Sequence, residues 1–253
     1  MQLDVRKSLH ENAADYYEKA KRARAKAQRL VEEIKKTERE LEAARAAAEE
    51  RPAVPARKRE REWFEKFHWT RTSDSFLVLA GRDAKQNQLL VKNYMKPGDF
   101  FLHADVQGAP ATIVQSEGRE VTSRALEEAA VIAAVFSKGW KSGTGALDVF
   151  AVAPGQVKTA AKAGEFLAKG SFVIVGERRW LRDVPLRVTL GFDSGKQRPF
   201  VSAARLSKSL EVVPGKMEKS DLAKLARKKF SGLGFEVGVD ELLQVLPAGG
   251  ALA

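Results

Sequence analysis

The residues best equipped for chemistry lie between Gly81 and Asp105. Gly81-Arg82-Asp83-Ala84-Lys85-Gln86-Asn87 follows an apolar run and opens a helical stretch. Its backbone amides should therefore face outward at the positive end of a helix, where phosphate is a natural ligand. Arg82 would clamp that phosphate, and Gln86 and Asn87 would add donors. The same residues also suit a structural job, in which Asp83 caps the helix and Arg82 pairs with a core acid. Farther on, His103-Ala104-Asp105 closes the run Asp99-Phe100-Phe101-Leu102 and puts an imidazole and a carboxylate on one face of a strand. These polar groups need partners if buried. A His–Asp hydrogen bond inside a core and a contact with a base edge are both open readings. Asp99 and Asp105 flank His103 as hard-cation ligands would, but the set is incomplete.

Enzymatic templates are otherwise missing. His10, His68 and His103 sit on different segments, and no His-x-x-x-His pair, Gly-x-Ser-x-Gly elbow or Gly-x-x-x-x-Gly-Lys-Ser/Thr loop occurs. The chain has no cysteine, which excludes disulfides, thiolate metal sites and cysteine nucleophiles. The expectation is a binding protein without catalytic residues, metal or cofactor. Charge suggests what it binds. The 253 residues carry 44 Lys+Arg against 33 Asp+Glu, a formal net charge of +11. Residues 205–230 alone hold eight basic and three acidic side chains. A surface of this sign attracts polyanions.

These side chains need a scaffold. Ser8-Leu9-His10-Glu11 reads as a capping box, and no Gly or Pro interrupts residues 9–51, so a helix to about Glu50 is expected. Ala13, Ala20, Ala27, Ile34, Leu41 and Ala48, with Tyr16, Ala23, Leu30, Thr37 and Ala44, recur at heptad spacing, which predicts a coiled-coil helix. No second helix of that length appears nearby, so its partner would be a missing segment, another subunit or the body of the protein. Its flank of Lys19, Lys21, Arg22, Arg24, Lys26 and Arg29 is either a solvated face or a phosphate contact. Arg51-Pro52-Ala53-Val54-Pro55 ends the helix, and Arg57–Trp69 should be helical again. Strands are expected at 76–80, 99–103, 111–115, 147–152, 171–176 and 184–192. Helices are expected at 83–95, 122–136, around 159–167, at 222–230 and at 239–245, followed by a small, flexible tail from Pro247. The mixture, without strict strand–helix alternation, is α+β: a mixed or antiparallel sheet with flanking helices, preceded by the long helix. No run of about 18 apolar residues spans a membrane, and Met1-Gln2-Leu3-Asp4 begins no secretory leader. A cytoplasmic location is the expectation.

Several stretches, in order, resemble the NFACT RNA-binding domain. They are Trp63-Phe64-Glu65-Lys66-Phe67, Gly81-Arg82-Asp83 with Gln86-Asn87, Tyr94-Met95 through Gly98-Asp99, and His103-Ala104-Asp105 with Gly108-Ala109. Ser137-Lys138-Gly139-Trp140, Gln156-Val157-Lys158, Gly164-Glu165-Phe166-Leu167 and Lys169-Gly170-Ser171-Phe172 continue the likeness, and residues 3–17 look like the start of the second half of the family's coiled-coil arm. The resemblance implies three regions: arm helix 1–56, RNA-binding domain 57–204 and a basic C-terminal extension 205–253. It implies a role in ribosome-associated quality control, on ribosomal RNA or tRNA of the large subunit that still holds peptidyl-tRNA. Arg82, Lys92, Lys141, Lys158 and Lys162 would contact phosphate, with Asp83, Gln86, Asn87, His103 and Asp105 near them. The family's N-terminal part has no counterpart here, so tail elongation by this chain alone is not expected. An alternative is a stand-alone RNA-binding accessory to RNA processing or modification; a third is a protein-interaction scaffold acting through the long helix.

Overall fold

In the computed structural model the described residues are Asp4, 6–49, 60–159 and 170–252. They belong to two compact units, Met1–Arg57 and Lys58–Ala253. The first is the helix α1, Leu9–Glu49. Its capping box forms as expected: the Ser8 amide donates to Glu11 Oε2 at 2.7 Å and the Glu11 amide to Ser8 Oγ at 3.3 Å. Asn12 ties down the incoming chain, accepting from the Asp4 amide and donating to the carbonyls of Asp4, Lys7 and Ser8. Leu30, Ile34 and Leu41 of the heptad seam are exposed.

The second unit is built on a six-stranded antiparallel sheet. Its strands are β1 (His68–Arg71), β2 (Leu77–Ala80), β3 (Phe100–Ala104), β4 (Thr112–Gln115), β5 (Ala146–Val152) and β8 (Arg179–Pro185), in the order β1-β2-β4-β3-β5-β8. Between them in sequence, β6 (Val157–Lys158) and β7 (Val173–Ile174) pair as a small ribbon. Alternation along each strand gives the sheet two apolar faces. On one, Val78, Ala80, Leu102, Ala104, Val114, Val149 and Ala151 pack against helix α3 (Ser123–Val135), which Thr122 caps through the Ala125 amide. On the other, Leu77, Leu79, Phe101, Ile113, Phe150 and Val152 meet Phe64 and Phe67 of the 3-10 turn Trp63–Lys66, and Leu90 and Val91. Leu90 and Val91 lie where helix α2 (Ala84–Leu89) widens into a π turn, Leu90–Tyr94.

A second sheet runs β10-β9-β11-β12, with β9 (Val188–Asp193), β10 (Arg198–Ser202), β11 (Leu210–Met217) and β12 (Ala251–Leu252). The stretch 184–192, expected as one strand, is thus two strands in two sheets. Pro185 ends β8, and the Leu186 amide turns to the Gly145 carbonyl. Residues 205–253, expected as an extension, supply β11, which pairs with β9, and the helices α5 (Lys219–Gly232) and α6 (Val239–Val245). Leu222, Ala226, Phe230, Leu242 and Leu246 lie in the same apolar core as α3. The tail is held rather than free. Trp140 Nε1, on the short helix α4 (Lys138–Lys141), donates to the Gly250 carbonyl at 3.0 Å, and β12 pairs with β11. That closeness requires glycine, since a Cβ on Gly250 would lie 2.1 Å from the Gly215 carbonyl oxygen. The break at Arg51–Pro55, the expected helix near 159–167 and Lys162 lie outside the described residues.

Candidate nucleic-acid interface

The turn around Arg82 is held by its own polar side chains, with Arg82 and Asp83 still exposed. Asp83 caps α2, accepting from the Gln86 amide at 2.8 Å. The Arg82 guanidinium spreads over three carbonyls: Nε to Lys66 at 3.0 Å, Nη2 to Phe67 at 3.0 Å and Nη1 to Gln244 at 2.8 Å. Gln86 accepts from the Arg82 amide and donates to the Lys66 carbonyl. Asn87 Oδ1 accepts from the Ala111 amide at 3.1 Å and lies where a Cβ on Gly81 would be. Arg82, Asp83, Gln86 and Asn87 thus join four pieces of the unit: the 3-10 turn, the β2–α2 turn, the start of β4 and the end of α6. The core acid expected for Arg82 is replaced by backbone oxygens.

Asp99 is likewise consumed. Its carboxylate, 3% exposed, accepts from the amides of Lys96 and Ser116 and from Ser116 Oγ. No group of three His, Cys, Asp or Glu side chains suited to a metal occurs among the described residues.

His103 sits differently. It lies on β3 directly across from Phe150 of β5, with the two rings 5.8 Å apart, and in parallel with Phe101 at 6.4 Å. Burial lowers its pKa below the ordinary imidazole value, against the opposing influence of the Ala104 and Ala109 backbone and the Asp105 charge. Asp105 itself is exposed, its amide bonded to the Asp148 carbonyl. Across the adjoining β3–β4 loop lies the stem of Lys138, where a Cβ on Gly108 would meet it at 2.7 Å.

From His103 the surface continues onto β8, the edge strand. Trp180 and Arg182 of β8, with Arg178 just before it, lie against the rings of the His103 face, while Leu181 joins the α3 core and Arg179 Nη2 bonds Ser123. Arg178 lies 4.6 Å over the Phe150 ring and Arg182 4.4 Å over Trp180, with Phe150 and Trp180 edge to face at 5.7 Å. Phe172, beside the β6–β7 ribbon that carries Lys158, meets Phe101 edge-on at 5.7 Å. A register shift in β5 between Leu147 and Val149 lets Asp148 accept from the Asp183 amide and pair with Arg182, which lowers the Asp148 pKa. The result is a layered sheet face of aromatic rings under exposed guanidinium groups. Stacked bases and phosphates suit such a face.

Of the residues expected from sequence, this face holds His103; Asp105 is exposed two residues on, and Lys158 is exposed on the β6–β7 ribbon. Lys92 is exposed on the π turn, and Lys141 is exposed on α4, against Gly249. Arg178, Trp180, Arg182 and Lys138 are additions that the sequence motifs do not point to as site residues. Their signal is the Arg-x-Trp-x-Arg alternation at 178–182, once that stretch is read as a strand.

A family model described as the NFACT protein RNA binding domain matches residues 66–176. The archaeal Rqc2 homolog aRqcH of Methanocaldococcus jannaschii is 38% identical over 200 residues, which are 76% of this chain and 29% of that protein. The ribosome quality control complex subunit NEMF homolog of Drosophila melanogaster is 36% identical over 197 residues, 74% of this chain and 19% of its own length. Subunit NEMF of Homo sapiens is 34% identical over 185 residues, 72% and 17%. The chain therefore spans less than a third of the length of these relatives. With the RNA-binding domain matched and its sheet in place, the chain belongs to the NFACT family.

Proposed function

We propose that this chain is the RNA-binding part of a ribosome quality-control factor, docking on ribosomal RNA or tRNA of a large subunit that still holds peptidyl-tRNA. The layered face of Arg178, Trp180, Arg182, Phe150 and His103 carries the reading. Guanidinium groups already seated on rings can meet phosphate with their outer N–H groups, while Trp180 and His103 receive base or ribose surface. Lys138, Lys158, Lys92 and Lys141 extend the cationic surface, and Asp105 orients the approach by repelling phosphate from one margin. The names of the relatives, quality-control subunits from archaea to animals, support the ribosomal setting. No described helix is long and apolar enough to cross a membrane, and we place the protein in the cytoplasm with the ribosomes. His103, neutral and ringed by aromatic groups, serves as a contact rather than a proton-transfer group, and peptide chemistry is left to the ribosome. Sedimentation with purified large ribosomal subunits tests this. The chain should pellet with them at moderate salt and be released as salt rises; a chain that stays in the supernatant at low salt refutes it.

A further inference from the structure

A second aromatic surface lies at the 3-10 turn, away from β8. Trp63 is 49% exposed, whereas Trp69 and Trp140 are buried and Trp180 is partly covered. One face of its indole stacks on Tyr94, with centroids 5.0 Å apart and planes 4° from parallel. Phe64 braces it edge-on at 5.6 Å. The Lys66 ammonium is fixed beside this pair, donating to the Tyr94 hydroxyl at 2.7 Å and lying 4.9 Å from that ring's centre. The acids of the same turn are engaged elsewhere. Glu62 pairs with Lys196 at 2.5 Å and with Arg198 at 2.6 Å, and Glu65 pairs with Arg198 at 2.7 Å. Arg198 is 3% exposed and draws the Glu65 carboxylate inward, while Glu62 is neutralised by Lys196 and Arg198 together. What faces solvent is an oriented indole with exposed cations, Arg61, Lys66 and Lys92, flanking the stack in sequence.

We infer that Trp63, held by Tyr94 and Lys66, is a stacking platform for one unpaired RNA base, with Lys66 set to meet that nucleotide's phosphate. The inference rests on the RNA-binding reading above and sharpens it: the preferred RNA contains a single-stranded nucleotide, not duplex alone. An apolar protein partner would be poorly served by a ring bordered by ammonium and guanidinium groups. A base has a π face for the indole and an anionic phosphate for the lysine. Since Tyr94 already holds the ring parallel, little ordering is left for the base to impose.

The test uses the full chain, a labelled single-stranded oligoadenylate and a fully paired RNA duplex of equal length, with Trp63→Ala and Trp63→Phe variants. Trp63→Ala should weaken single-strand binding about tenfold, leave duplex binding within twofold, and be partly rescued by Trp63→Phe. Unchanged single-strand affinity in Trp63→Ala overturns the platform while leaving RNA binding standing. An equal loss on both RNAs also overturns it, since that marks a general structural effect. If the wild-type chain binds neither RNA, both the platform and the RNA-binding reading fall.

Discussion

Replacing Arg82 separates a structural clasp from a phosphate contact. In Arg82→Ala, three hydrogen bonds of 2.8–3.0 Å from one guanidinium to the carbonyls of Lys66, Phe67 and Gln244 disappear together. Bonds from a charged donor contribute up to a few kcal/mol each, but Arg82 is partly open to solvent, so about 1 kcal/mol apiece is the better figure. The Lys66 carbonyl keeps its bond from Gln86, and water can replace some of the rest. A net destabilisation of about 2 kcal/mol results. For a unit of this size that corresponds to a fall in melting temperature of roughly 4–8 °C. Arg82→Lys should recover little, because one ammonium on a flexible stem cannot serve three carbonyls held in a fixed fork. Thermal unfolding followed by circular dichroism measures the stability change. RNA affinity measured well below the melting transition should stay within twofold of wild type. An unchanged melting temperature with weakened affinity and a shallower salt dependence would refute the clasp and return Arg82 to phosphate.

The interior offers further tests. Arg198→Ala removes the ion pair to the largely buried Glu65 and the cation lying 4.2 Å over Trp69, so chemical denaturation should show a destabilisation of about 3 kcal/mol. Gly81→Ala would place a Cβ 2.1 Å from Asn87 Oδ1 and 2.8 Å from its backbone nitrogen, and should cost about 2 kcal/mol in the same measurement. His68, stacked 3.8 Å from Phe136 with an unpartnered Nδ1, has its pKa pushed well below the ordinary value by burial, then by Arg82 and Lys219. The unfolded chain therefore binds a proton near pH 6.5 that the folded chain does not. Stability should fall as pH drops from about 7 to about 5.5, by up to about 1.4 kcal/mol per pH unit per histidine, and His68→Phe should flatten part of that slope in urea titrations. The His103 pKa is lowered as well. RNA affinity should consequently show no histidine step between about pH 6.5 and 8, and a clear step there would contradict its assignment as a neutral contact.

The features legible in the sequence are those with local causes. The Ser8/Glu11 box, the helix of heptads, the Thr122-capped α3 and the Asp83 cap each depend on residues three or four apart, and each forms. The strand β1 is hidden because His68-Trp69-Thr70-Arg71 has no apolar run and follows an aromatic turn that reads as helix. The strand β8 is hidden because an edge strand with arginines on both faces lacks the alternation of a half-buried strand. Its apolar end at Val184 also runs on into β9 past Pro185. At the candidate site, residue type and position single out His103 as a proposal. The consumption of Arg82 cannot be read that way, since one of its acceptors, Gln244, lies 162 residues away. The same holds for Trp140 and Gly250, whose bond turns a nominally loose tail into a strand.

If the β8 face carries the RNA, a salt series on large-subunit binding shows it most directly. Wild-type chain and an Arg178→Ala/Arg182→Ala variant would be compared for binding to purified large ribosomal subunits from low to high salt. Removing each phosphate contact should reduce the slope of log affinity against log salt by about 0.7–0.9. The variant should fold normally, bind at least about tenfold more weakly at moderate salt and have a slope shallower by about 1.5. A variant with wild-type affinity and wild-type slope would contradict RNA binding by this face.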